Sequence, residues 1–215
     1  MKVSILNETY VPGTWQRVLV EISNLDETTR ESLKSRISEI SDALHGRHGY
    51  KRFNFLAAYL LEMSMIATAI GLACTSSMLL HLIATLFLAV ALQPALKVTS
   101  GLMLGVRYSY AYLWHFEPRF KMMYGDYIAC PRWRRLIFQF SGCVGTPFAM
   151  VIGMTLLQDA FFLFWLCALG LVAFSLMQLA AFIAAIMGVE RVGSMMLRHL
   201  TTPAMLAFEL RKTQN

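Results

Sequence analysis

The sequence predicts an all-α integral membrane protein, with four transmembrane helices in two tight hairpins and amphipathic segments on the cytoplasmic side. Three observations lead there. The apolar blocks Asn54–Leu96 and Leu136–Gly188 contain no Lys or Arg, so all 19 basic residues lie before, between or after them. Each block is long enough for two crossings of about 20 residues at ~1.5 Å per residue. Each also carries a polar turn near its middle, Thr75-Ser76-Ser77 in the first and Gln158-Asp159 in the second. The composition agrees: 57% of the residues are hydrophobic and 15% charged, against about 45–50% and about 25% in soluble domains.

Residues 1–50 form a polar N-terminal region. Met1–Asn24 mixes Lys2, Glu8, Arg17 and Glu21 with short apolar runs, Val3–Ile5 and Val18–Ile22, split by Pro12-Gly13. It has no apolar centre of the kind a cleavable leader needs, so the first span is expected to act as its own insertion signal. The short runs read as strands or as parts of an amphipathic segment. A clearer helix covers about 26–45. Asp26 or Thr28 can cap its start and Gly46 can stop it. Leu33, Ile37, Ile40 and Leu44 recur at helical spacing and make one apolar stripe. That stripe packs on the protein itself or on the membrane, or docks a partner.

The first hairpin covers 54–97, with spans at Asn54–Cys74 and Ser77–Lys97, the second of which can kink at Pro94 and continue to about Val106. The link, 98–135, is basic and aromatic. Gly101 and Gly105 form a GxxxG, a spacing that lets helix backbones approach closely in lipid. Tyr108-Ser-Tyr-Ala-Tyr-Leu-Trp-His-Phe116 follows, an aromatic run suited to the headgroup level of an anionic leaflet. The second hairpin covers 136–188, with spans at Leu136–Leu157 and Ala160–Gly188. Ala181, Ala184, Ala185 and Gly188 give its last helix a small-residue face. The tail, 189–215, reads as an amphipathic helix on the inner surface, broken at Pro203.

Charge sets the expected orientation. Arg47, Lys51 and Arg52 precede the first span, six basic residues from Arg107 to Arg135 fill the link, and Arg191 and Arg198 follow the last span. Basic residues stay in the cytoplasm, which puts both termini and the link inside a bacterial inner membrane. The net charge of +6 is thus a topology signal rather than a nucleic-acid patch, since no recognition motif accompanies it.

Candidate chemistry is sparse. Glu62 is the one acidic residue deep in a span, and an ionisable group there is a functional candidate by default. It lies about 12 Å from the inner boundary by helical rise. At that level the third span offers Ser141, Gly142, Gly145 and Thr146, and the second offers Thr85–Ala89. Gly142 and Gly145 also suit close helix packing. His81 lies roughly 12 Å beyond Glu62, too far for direct contact but open to a water-linked relay. His115, Glu117, Arg119 and Asp126 form an interfacial polar group that could surround a lipid headgroup. No spacing among them marks a nucleophile and base. The histidines and the four cysteines match no metal, haem or disulfide pattern, so no catalytic residue, metal or cofactor is assigned.

Three functions follow in order of preference. The first is a non-enzymatic protein that binds another membrane protein, as a complex subunit or an exclusion or immunity factor. The second is an oligomeric channel or transporter using Glu62. The third is an interfacial lipid enzyme built on His115–Asp126. Membrane lipids and a second membrane protein, or another copy of the chain, are the expected partners.

Overall fold

Helix α1 covers Thr14–Ser23 and buries Leu19. Val18–Ile22 is therefore helical rather than a strand, while Val3–Ile5 lies outside the described residues. The structure, a computed structural model, describes residues 14–114, 117–187, 191–192, 195–196, 205–206 and 210. These divide into two units: residues 1–55 with 101–135, and residues 56–100 with 136–215. The N-terminal region and the link, separate in the sequence reading, thus join in one unit.

In this first unit, α2 covers Glu27–Gly46. Asp26 caps it, its carboxylate accepting from the Thr29 N–H at 2.9 Å and also from the Thr28 hydroxyl. Gly46 is the last helical residue, and the chain turns out at Gly49, whose φ of 62° lies in the left-handed region. Ile37 of the apolar stripe is buried at 2% exposure, with Ser38 and Ser41 beside it. They pack on α5, Tyr124–Ala129, whose Gly125 donates its N–H to Ser38 Oγ at 3.1 Å. Ile37 thus serves the unit's own core, while Leu33, Ile40 and Leu44 of the stripe are half-buried. Arg135, itself buried, closes the far end of α5 by donating to the carbonyls of Ile128 and Cys130 at 3.1 and 2.9 Å.

The link departs from the helical class. Arg52–Phe53 (β1), Tyr108–Trp114 (β2) and Glu117–Met122 (β3) form an antiparallel sheet in that order, with Phe53 opposite Ala111 and Ala111 opposite Phe120. Tyr108, Tyr110, Tyr112 and Trp114 recur every second residue. Alternation of that period, rich in aromatics, favours a strand; the aromatic content alone had suggested an interfacial anchor. The register slips between Tyr108 and Tyr110, leaving Ser109 as a bulge.

The second unit is built on α3 (Phe55–Ala73), α4 (Met78–Met103), α6 (Arg132–Leu156) and α7 (Phe161–Met187). All four are long and apolar enough to cross a membrane. The second of them runs six residues past Lys97, through Pro94, to Met103. It ends at Gly105, whose φ is 89°. The Val106 N–H returns to the Gly101 carbonyl at 2.8 Å, and the Gly105 N–H to Leu102 at 3.1 Å, a Schellman closure. Gly105 therefore terminates the helix. The GxxxG is not a packing pair within it, because its second glycine lies beyond the helical residues.

As residue numbers fall along α4 they rise along α6. The Ser100 and Ser141 hydroxyls are 2.6 Å apart, Thr146 Oγ1 donates to Gln93 Oε1 at 2.7 Å, and Gly153 faces Thr85. A Cβ on Gly145 would lie 2.3 Å from the Gln93 Cα, so here the two backbones touch. Gly142 is buried too. Ala69, Ala84, Leu88, Leu92 and Ala149 form an apolar cluster joining α3, α4 and α6. Cys167, Ala181 and Ala184 are buried on α7; Gly188 lies outside the described residues.

Most of the tail lies outside the described residues. Its described start, Arg191–Val192 (β4) paired antiparallel with Met195–Met196 (β5), is extended rather than helical.

Candidate functional site

Glu62 sits on α3 with 5% exposure, and neither carboxyl oxygen has a hydrogen-bond partner. One turn earlier on the same helix, the Tyr59 hydroxyl lies 2.8 Å from Thr99 Oγ1. That contact sets the depth: Glu62 lies level with the stretch of α4 near Leu96, not Thr85–Ala89. The offset arises because α4 continues to Met103 instead of ending at Lys97. On α6 the level falls near Cys143, between Ser141 and Thr146. The groups expected to solvate Glu62 are engaged elsewhere, Ser141 with Ser100 and Thr146 with Gln93.

Gln93 is the site residue that sequence reasoning missed. It is an amide in an apolar helix, one residue before Pro94, and that pairing was the available signal. Pro94 lies within α4 and Pro147 within α6. A proline removes the helical donor from the carbonyl four residues earlier, here those of Val90 and Cys143. Both helices are thus loosened in the stretch where Gln93 meets Gly145 and Thr146. The polar pairs Tyr59–Thr99 and Ser100–Ser141 lie on the Met103 side of Glu62, and Gln93–Thr146 lies about one turn past it. Beyond Glu62 comes the apolar cluster.

His81 lies on the far side of that cluster. Its Nε2 is 2.7 Å from the Thr75 carbonyl oxygen and its Nδ1 is 2.9 Å from that of Leu156. No protein-family model, curated protein or solved structure matches this chain. The assignment of function rests on these residues.

Of the interfacial group, the side chains described are those of Arg119 and Asp126. His115 lies outside the described residues. Glu117 pairs with Trp114 at the start of β3, and Arg119 stands opposite Tyr112. Asp126 is on α5, 2% exposed, and held by other residues. It accepts from the Arg107 N–H, Nε and Nη2 at 3.1, 2.8 and 3.1 Å, and Lys34 Nζ is 3.3 Å away. Burial alone would raise the Asp126 pKa, but the hydrogen bonds from Arg107 and Lys34 outweigh it and hold the group below the usual carboxylate range. A carboxylate so engaged is a structural tie, not a free base. Asp126→Asn is expected to destabilise this unit by about 2 kcal/mol, below the value for a fully buried pair because Arg107 can hydrate. Hydrogen exchange of α2 and α5 amides checks it.

Two further groups bear on acid sensitivity. Lys121, 7% exposed, reaches Ser41 Oγ at 2.8 Å and Asp42 Oδ1 at 3.0 Å; burial lowers its pKa against the pull of Asp42. His45 accepts or donates at Nδ1 with the Tyr110 hydroxyl, 2.9 Å away, and packs edge-on to Tyr112. Burial, then the Lys121 charge, pushes its pKa down to about 4. The folded state therefore favours neutral His45, and an unfolded histidine titrates near 6.5. Stability is expected to be full above about pH 6.5 and to fall as pH drops towards 4. His45→Gln should flatten that slope in urea titrations followed across the range.

Proposed function

We propose that this chain is a multi-pass inner-membrane protein that binds and passes protons through Glu62. The observation carrying the reading is that carboxyl group, buried among apolar helices with both oxygens unbonded. Such a group is costly in a membrane and persists where it has work to do. A metal cation would want a shell of oxygen ligands, whereas no hydroxyl or amide bonds Glu62 and the nearest candidates are engaged with each other. A proton needs only the carboxyl.

In this reading the spans form two hairpins, and the positive-inside rule puts the Met103 end of α4 and both termini in the cytoplasm. The Tyr59–Thr99 and Ser100–Ser141 pairs then lead from the cytoplasmic side to Glu62, Gln93–Thr146 lies about one turn beyond it, and the Ala69–Leu92 cluster closes the way outward. Four helices enclose little space, so the working form is a homo-oligomer. Only 11% of the spanning stretch of α3 or α7 is buried within the chain, which leaves both helices surface for a second copy.

The test is proton uptake into liposomes under an imposed potassium diffusion potential. Wild type should acidify the lumen, Glu62→Asp should retain part of the rate, and Glu62→Gln should lose about tenfold or more. A folded Gln variant matching wild type sinks the proposal.

The same low burial supports a second reading, association with a different membrane protein through α3 and α7. Crosslinking in native membranes separates the two: self-crosslinks favour the oligomer, a single foreign band the partner.

A further inference from the structure

We propose that His81 is a second proton-binding group of the helical unit, which in its imidazolium form clasps the outer turn to the end of α6. The link to transport rests on the Glu62 reading; the clasp does not.

The geometry makes the case. Both ring nitrogens lie within hydrogen-bond distance of main-chain carbonyl oxygens, Thr75 at 2.7 Å and Leu156 at 2.9 Å. A carbonyl oxygen only accepts. A neutral imidazole has one N–H and one lone pair, so in either tautomer one nitrogen would face a carbonyl lone pair to lone pair. Only the imidazolium donates to both.

The placement of the acceptors is a second observation. Leu156 is the last residue of α6, and Thr75 lies two residues past the end of α3. The starts of α4 and α7 lie in the same two turns as these helix ends, so the helix dipoles offset one another and the two carbonyl acceptors decide the form of the ring. The titratable groups on the neighbouring elements are Cys74 in the α3–α4 turn, Asp159 in the turn after α6, and Cys167 on α7. None of them bonds the ring, whose partners are both carbonyls.

Loss of the ring proton breaks one of the two bonds and frees either the α3–α4 turn or the end of α6. Between His81 and Glu62 stands the apolar cluster of Ala69, Ala84, Leu88, Leu92 and Ala149. The unit therefore holds one proton-binding group on each side of an apolar layer, and the outer one governs whether its end is closed.

The readout is nitrogen NMR of histidine-labelled protein in lipid, with hydrogen exchange at the two turns. His81 in the native protein should show protons on both ring nitrogens. His81→Gln, which has one donating end, should raise exchange in the two turns about tenfold together. His81→Lys, with three donors, should keep that exchange slow. A single neutral tautomer in the wild type, or a Gln variant exchanging like wild type, overturns the clasp. Loss of proton flux in Glu62→Gln is a separate outcome, so failure of either proposal is visible without the other.

Discussion

Replacing Glu62 by leucine is expected to stabilise the helical unit while abolishing proton passage. A buried polar group without a partner costs about 1–3 kcal/mol relative to an apolar side chain of similar size. Glu62 meets that description on both oxygens. Leucine removes the desolvation cost and leaves the neighbours undisturbed, because no hydrogen bond is lost. The expected gain is about 1–3 kcal/mol of resistance to thermal or SDS unfolding in detergent. A gain in stability paired with loss of activity marks a residue kept for function against its effect on the fold. If the leucine variant is instead destabilised by more than about 1 kcal/mol, Glu62 has a structural partner, and the transport proposal falls with this prediction.

Gly125→Ala should do the opposite in the other unit. A Cβ there would lie 2.0 Å from the Lys34 carbonyl oxygen and 2.6 Å from Ser38 Oγ. The first contact is with backbone inside α2, which cannot swing aside as a flexible side-chain tip can. Either α2 or α5 must move. That motion strains the Gly125 N–H bond to Ser38 and pulls Asp126 from Lys34. It also opens the packing around Tyr127 and Ile128, both buried to 1% exposure or less. Overpacking of this kind costs about 1–3 kcal/mol or more, and a main-chain obstacle belongs at the upper end. Amide exchange in α2 and α5 should rise accordingly. Gly71→Ala, whose added Cβ meets nothing, is the control and should leave that exchange unchanged.

The four spans were legible because a gap in positive charge over some 40 residues has few other causes. Glu62 was legible for the same reason, as the acidic exception within such a gap. Its surroundings were not. Assigning depth by counting from Lys97 failed because a single lysine does not end a helix in the membrane; its long stem lets the charge reach polar surroundings. The real stop is Gly105, whose signal as a left-handed terminator was masked by its partnership with Gly101 in a packing motif. The sheet was missed through composition: aromatics near a membrane suggested anchoring, while their period of two, the better guide, pointed to a strand. Gln93 went unremarked because one amide beside a proline carries no charge. Its importance comes from Gly145, which lets the α6 backbone close on that point of α4.

The unit made of residues 1–55 and 101–135 has a consequence for biogenesis. Its strand β1 is made early, but its partner β2 emerges only after the first two spans have left the ribosome. At about 5–20 residues per second, Phe53 waits several seconds for Ala111. During that wait both apolar helices, α3 and α4, are made, since they separate the two strands in the chain. Until β2 arrives, the main-chain groups of β1 stand unpaired and open to other strands.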